Sequence, residues 1–184
     1  VRRTPAGVEI RTFSDEWKKF DSVVMASHSD QSLKMLENPS DEEVKLLSAI
    51  KYQKNQAYLH SDTIVMPKRK RCWSSWVYAS DELDNSNPVG VSYWMNRLQP
   101  ISGNENFFQS LNPNREIKQE LIYDQKTFMH PVFDREALSA QEKFNTIQGR
   151  NNTWYCGAWL RNGFHEDGYS SAVDILENIG MVSV

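Results

Sequence analysis

One short stretch of this chain sets an imidazole beside two carboxylates. His165, Glu166 and Asp167 stand together, directly before a stretch in which Ala172, Val173, Leu176 and Ile179 recur at helical spacing. Upstream, "NTWYCGAWL" has the pattern of an apolar strand that ends at Cys156-Gly157. A strand, a glycine turn and a helix start, in that order, aim backbone N–H groups at one spot. Such a spot favours an anion or a carbonyl oxygen, because the first N–H groups of a helix have no partner within it. Gly157 lets another molecule approach the backbone, since glycine has no Cβ. Asp167 is the expected cap of the last helix, with Gly168 beside it. The same pattern also fits an ordinary β–α unit whose glycines serve turns.

Other candidate chemistry is weaker. The histidines His28, His60, His130 and His165 form neither HxH nor HxxxH, so no metal site is expected. Cys156 has no Cys–His signature, and a cysteine at a strand end usually behaves as a small buried hydrophobe. Phosphate-cradling GxxxxGK[ST] and GxGxxG and the nucleophile motif GxSxG are all absent. Pro67–Cys72, "PKRKRC", is the only basic run and is expected to be a solvated turn between strands. Aromatic residues concentrate on two neighbouring predicted strands. Trp76 and Tyr78 share a face by alternation, and Trp94 joins them if the register permits. That face is either sheet-packing core or an apolar wall for a substrate or ring cofactor.

Composition limits the function classes. The chain has 184 residues, 39% hydrophobic and 11% aromatic, enough for one domain or two small interleaved ones. A net charge of −3 argues against a general nucleic-acid binder. Two cysteines without CxxC suggest neither a disulfide framework nor zinc. No apolar run reaches the length of a membrane span, and no secretory signal pattern follows the basic start. A soluble cytoplasmic setting is expected. The chain begins at Val1 in an immediate strand pattern, so a fragment, a processed product or one piece of a larger protein is expected.

The positioning elements follow from pattern. Gly7–Phe13 and the stretch after Ser14-Asp15 predict a β-hairpin. Ser22–Ser27, "SVVMAS", predicts a strand buried on both faces, followed by a short helix at "QSLKMLE". Ser40 and Glu43 have capping-box spacing before a helix with Val44, Leu47 and Ile50 on one stripe. The middle of the chain predicts an antiparallel sheet, from "QAYLHSD", "RCWSSWVYAS", "VGVSYWMNRL" and "NFFQSLN". A further extended segment, "YDQKTFMHPVF", should stop at Pro131. Ser139 and Glu142 predict a second capped helix ending at Gly149. The apolar strands near Val24 and at Thr153–Cys156 both suit a parallel sheet. The order therefore suggests one domain interrupted by another.

Several segments together resemble a known group. "FDSVVMASHSDQSLKML", "SWVYAS", "VSYWMNRLQ", "QSLNPNRE", "HPVFD" and, most specifically, "TWYCGAWLRNGFHEDGYSSAV" look like the C-terminal part of the NAD/FAD-binding flavoproteins of the flavin-containing amine oxidase superfamily. The resemblance runs over nearly the whole chain. It implies an α/β plus α+β fold: the C-terminal part of a Rossmann-type FAD domain (1–38 and 150–184) with an inserted antiparallel-sheet substrate domain (39–149). It implies FAD as cofactor. Ala26 and Ser27 would then lie near the ADP portion. Gly157 and Ala158 would approach the phosphate–ribityl chain, with Trp159 nearby. The turn from Phe164 through Asp167 and Gly168, with Tyr169, would face the isoalloxazine, where a helix N-terminus favours negative charge.

Two departures qualify that picture. Amine oxidases commonly carry an acidic residue after the late glycine, where this chain has Ala158. GxGxxG and a ribose-binding acid are also missing, so a second chain or a further segment is expected to supply the dinucleotide-binding half. The implied reaction is hydride transfer from a small-molecule or lipid substrate, by association fatty-acyl, to FAD. His165 is the expected general base, because an imidazole can exchange a proton near neutral pH. Trp76, Tyr78 and Trp94 are the expected substrate wall. Rival expectations are a flavin-dependent fatty-acyl isomerase or desaturase and a non-catalytic interaction domain.

Overall fold

The computed structural model describes residues 1–13, 16–79 and 90–179. The expected Ser14-Asp15 turn and the segment 80–89 lie outside them. Two compact units are present: residues Val1–Tyr52 with Pro131–Val184, and residues Gln53–His130.

The discontinuous unit begins with three antiparallel strands, β1 (Arg2–Thr4), β2 (Gly7–Arg11) and β3 (Trp17–Phe20), in that spatial order. β4 (Val23–Met25) leads to α1 (Ser29–Met35) and α2 (Asp41–Ala49). The second unit is built on a five-stranded sheet. Its strands are β5 (Lys51–His60), β6 (Trp76–Ala79), β7 (Gly90–Trp94), β8 (Phe108–Leu111) and β9 (Ile122–Val132), with a single helical turn, α3 (Met95–Leu98), after β7. The spatial order is β6-β7-β8-β5-β9. The chain then returns through α4 (Arg135–Lys143), β10 (Thr153–Tyr155) and α5 (His165–Ile179). No described helix is long and apolar enough to cross a membrane.

β9 runs through Pro131 instead of stopping there. It is an edge strand, where a missing N–H breaks no ladder on the open side. The segment "RCWSS" is not strand either: Lys70–Cys72 forms a 3-10 turn and pairing begins at Trp76. α4 starts four residues before the expected Ser139. Its cap is Asp134, whose Oδ1 accepts from Ala137 N–H at 2.9 Å, so Ser139 lies inside the helix. The alanine three residues after Asp134 breaks the capping-box pattern, whereas Ser139–Glu142 has that spacing inside the helix. α2 and α4, both assigned from sequence to the middle segment, belong to the discontinuous unit.

β4 and β10 pair in parallel, Val23 opposite Thr153 and Met25 opposite Tyr155, across a long sequence separation. The pairing matches the expected parallel arrangement, but β4 is not buried on both faces. Met25 is buried while Val24 is 47% exposed, as alternation across a pleat requires when one face is covered. Met25, Leu36, Leu46, Leu47, Ile50, Ala137, Ala140, Phe144, Ile147, Tyr155 and Trp159 form one apolar cluster.

A carboxylate crosses this apolar core. The expected capping box is present: Ser40 Oγ accepts from Glu43 N–H, and Glu43 Oε2 accepts from Ser40 N–H at 2.7 Å. Glu43 does more than cap. It is only 1% exposed. Its Oε1 accepts from Tyr155 Oη–H at 2.7 Å and from the Arg3 guanidinium. Val44, expected on the buried stripe, is exposed, and the helix turns Glu43, Leu46 and Leu47 inward instead. Burial pushes the Glu43 carboxyl up, but hydrogen bonds from Ser40, Tyr155 and Arg3 outweigh it and hold it below the ordinary 4.5. Burial and the neighbouring carboxylate push the Tyr155 phenol far up, so it remains a donor.

Removing one partner of a buried pair strands the other, so Glu43→Ala should lower stability by about 3–5 kcal/mol in urea unfolding. A carboxyl held low stabilises the fold above its unfolded value of 4.5, and that contribution is lost as pH falls through the lower folded value. Wild type should therefore lose stability with acidification in that range, and Glu43→Gln should remove this component of the slope.

Candidate functional site

The parallel pair sets two loops side by side. Cys156 N–H donates to Met25 O at 3.1 Å, extending the pairing by one residue. Beyond that bond, Ala26-Ser27 leaves β4 and Gly157-Ala158-Trp159 leaves β10. Carboxyl ends of parallel strands are where α/β sheets place ligands, because the diverging loops open a crevice there. Trp159 Nε1–H donates to Ser27 O at 3.0 Å and clips the two loops together.

Trp159 is therefore a core residue and a brace. It is 3% exposed and packs edge-on against Phe144, with ring centroids 5.0 Å apart. Gly157 has a positive φ of 153°, and a Cβ there would lie 2.4 Å from Trp159 Nε1. Its lack of a side chain is explained by the indole alone. The Gly157 N–H is also used internally, donating to Ser171 Oγ at 2.9 Å. Ser171 Oγ–H donates in turn to Gly168 O at 2.7 Å. Ser171 ties the strand end to the first turns of α5, and nothing in the apolar spacing pointed to it. The buried stripe of α5 consists of Ser171 and Ile175, while Leu176 and Ile179, expected inside, are exposed.

α5 starts at His165, with Asp167 in its first turn rather than at the cap. Asp167 Oδ2 accepts from Phe164 N–H at 2.9 Å, the reaching-back half of a capping box. Gly168 N–H donates to Phe164 O at 3.2 Å. Gly168 faces Ala158: a Cβ on Gly168 would sit 3.6 Å from Ala158 N, in ordinary contact. Phe164 and Tyr169 are 71% and 68% exposed, and His165 and Glu166 are exposed beside them. The fold thus assembles Ser27, Gly157, Ala158, Gly168 and the α5 N-terminus, with Ala26 exposed at the end of β4. Burial pushes the Cys156 thiol up, which disfavours a thiolate nucleophile.

The expected aromatic wall lies in the second unit and differs in membership. The β6–β7 register sets Tyr93 opposite Trp76 and Val91 opposite Tyr78. Tyr93 therefore shares the Trp76–Tyr78 face, and Trp94 is on the other side. Trp94 packs edge-on against Trp73, at 5.2 Å between centroids, within the cluster around Phe108. Trp76 and Tyr78 contact each other edge-on at 4.9 Å and remain exposed. On the covered face, His60 Nε2 lies 2.8 Å from Ser110 Oγ, which lies 2.7 Å from Ser92 Oγ. His60 and Ser110 are fully buried, so this pair resembles a nucleophile and base in composition but has no access to substrate. Burial holds the His60 imidazole below its ordinary range.

No protein-family model matches this chain, and no curated protein matches it. Solved structures do share its fold. The crystal structure of a CLA-producing fatty acid isomerase from P. acnes matches over 96% of this chain and 45% of its own, at 18% identity and a TM-score of 0.64. The crystal structure of a reduced UDP-galactopyranose mutase matches over 96% of this chain and 45% of its own, at 12% identity and a TM-score of 0.62. At these identities the likeness is one of fold, and this chain spans 45% of the length of each.

The two glycines of the site should respond with opposite signs. Gly157→Ala drives a methyl into the Trp159 indole at a strained φ and should lower stability by about 1–3 kcal/mol, with a change in tryptophan fluorescence. Gly168→Ala meets no obstruction within α5 and should be neutral or stabilise by up to about 1 kcal/mol. Urea unfolding of both variants checks the pair.

Proposed function

We propose that this chain is part of an FAD-dependent oxidoreductase with an amine-oxidase-like fold, which transfers hydride from an apolar, fatty-acyl substrate to the flavin. The observation that carries the reading is the junction at the carboxyl ends of β4 and β10. Two loops are clipped there by Trp159, and Ser171 couples them to the first turns of a 15-residue helix. The specific "YCGAW…GFHEDG" block and the fold shared over 96% of the chain with the fatty acid isomerase support it.

The residues present fit such a cofactor. Ala26, Ser27 and Ala158 would line the loop side, and Phe164, Asp167, Gly168 and Tyr169 would line the helix side. The exposed aromatics Phe164 and Tyr169 offer apolar surface to a ring, beside a first turn of α5 whose positive end already meets Glu166 and Asp167. Gly157 and Trp159 act one step back, as the joint and brace that hold Ala158 in place. FAD, when bound, supplies the hydride acceptor. His165, exposed at the first position of α5, would take up the proton released from the substrate. Trp76 and Tyr78, joined by Tyr93, would supply apolar contact to the acyl chain. The dinucleotide-binding half would come from a further segment or a second chain. A second reading, isomerisation of an unsaturated fatty acyl chain, is favoured by the fold shared with the fatty acid isomerase.

The visible spectrum of the purified protein, alone and with any co-encoded partner, tests the reading. Flavin absorbance in either sample is expected, and its absence from both would refute the proposal. With flavin bound, His165→Ala should leave flavin content unchanged while slowing flavin bleaching by an acyl substrate by about 10²-fold or more.

A further inference from the structure

A chain of amides in the second unit sets the tautomer of one histidine. It begins at a donor that admits one reading, the backbone N–H of Gln56. This group donates to Asn112 Oδ1 at 2.9 Å. The other side-chain atom of Asn112 is therefore its nitrogen, which donates to Asn55 Oδ1 at 2.9 Å. Gln53 Nε2 lies 3.4 Å from the same oxygen. Asn55 must then turn its nitrogen the other way, and Asn55 Nδ2 lies 2.6 Å from Nδ1 of His130. An amide nitrogen only donates, so Nδ1 accepts. Neutral His130 carries its proton on Nε2.

The backbone holds the first link in place. Asn112 adopts a left-handed φ of 44°, and its own N–H donates to Gln56 O at 2.9 Å. Its side chain thus stands in for the carbonyl that would continue the β5–β8 ladder. Asn55 is 8% exposed, so its amide needs these partners to be buried without penalty. His130 itself is only half-buried.

Asn55 shares a sheet face with Leu59 by alternation, and the register extends that face through Leu111 and Tyr93 to Trp76 and Tyr78. Leu59, Trp76 and Tyr78 are exposed large apolar residues. One row of that face is apolar in register from β6 to β5, Tyr78, Val91, Leu111 and Ala57, while Gln109 interrupts the next row between Tyr93 and Leu59. With β9 beside β5 the sheet is about 19 Å wide at ordinary strand spacing. His130, on β9, stands at that second edge with Phe128 6.2 Å away by ring centroids. An apolar track that meets one oriented donor suits a long acyl chain with an oxygen at its head.

We propose that His130, held as the Nε2–H tautomer by the Asn112–Asn55 relay, donates a hydrogen bond to the head oxygen of a long-chain acyl group laid on this face. The fatty-acyl identity rests on the functional reading above; the tautomer does not. Asn55 and Asn112 are positioning residues, and His130 selects for an acceptor oxygen. The head is a carboxylate or an ester carbonyl, and both present the same acceptor.

Long-range ¹H–¹⁵N correlation at His130 tests the relay. Wild type should show the Nε2–H pattern. Asn55→Asp replaces the donor with an acceptor, so the pattern should switch to Nδ1–H. An Nδ1–H pattern in wild type, or no switch in Asn55→Asp, overturns the relay. Titration with oleate and with methyl oleate, followed by tryptophan fluorescence, tests the anchor. His130→Ala should weaken binding about tenfold, the loss of one hydrogen bond to a desolvated oxygen. His130→Gln keeps an amide donor and should restore most of it. Weakening for oleate alone identifies the free acid as the head, and weakening for both extends it to esters. No saturable binding to wild type, or equal binding by His130→Ala, overturns the anchor. Circular dichroism confirms that each variant folds. Flavin content of the same samples separates the two claims: its absence counts against the functional reading and leaves the tautomer result standing.

Discussion

The discontinuous unit depends on one buried carboxylate. Glu43 sits among apolar side chains, where an unpartnered charge would be strongly unfavourable. Its partners come from three places in the chain: Arg3 on β1, Ser40 at the head of α2 and Tyr155 on β10. Each of those elements is short, and β1 and β10 have three residues each. Strands of that length supply little cohesion of their own. A buried carboxylate that accepts from all three donors ties them together, because losing a partner leaves buried charge poorly compensated.

The position of the candidate site follows from that constraint. Tyr155 is the last residue of β10, and Cys156 and Gly157 continue directly from it. Locating the Tyr155 phenol against Glu43 locates the strand end. The strand end locates Gly157, whose N–H reaches Ser171, and Ser171 draws in Gly168 at the start of α5. Trp159 closes the arrangement against Ser27. Rigidity at the loops thus comes from directed hydrogen bonds and one packed indole, not from the loops' own sequence. Such support behind a site keeps its exposed residues in place while leaving their surfaces available.

The second unit solves a different problem. Its sheet covers one face with the Phe108 cluster and leaves aromatic and aliphatic residues on the other. Polar groups are admitted as hydrogen-bonded clusters: His60 with Ser110 and Ser92 on the covered face, and His130 with Asn55 and Asn112 on the open one. The first histidine is sealed and the second half-exposed, so similar chemistry has opposite prospects for function.

Signals carried within a few residues were legible in the chain itself. The Ser40–Glu43 box, the glycine at the end of a late apolar strand and the helix that follows all lie within one turn or one strand. The parallel pairing of two distant strands was also expected and is present, although the continuous apolar run at β4 overstated its covering, since Val24 faces outward. Local signals also misled: Ser139–Glu142 has capping-box spacing yet lies within a helix already capped by Asp134, since spacing alone cannot exclude an earlier start. Tertiary structure alone decided the rest. Whether Glu43 merely caps or also anchors depends on Arg3 and Tyr155 arriving from far along the chain. Whether Tyr93 or Trp94 joins Trp76 depends on register, and a one-residue shift exchanges the faces. Ser171 and Asn55 look like any polar residue until their partners are in place. A hydrogen bond between distant residues leaves no periodicity in the sequence, and the site is built from such bonds.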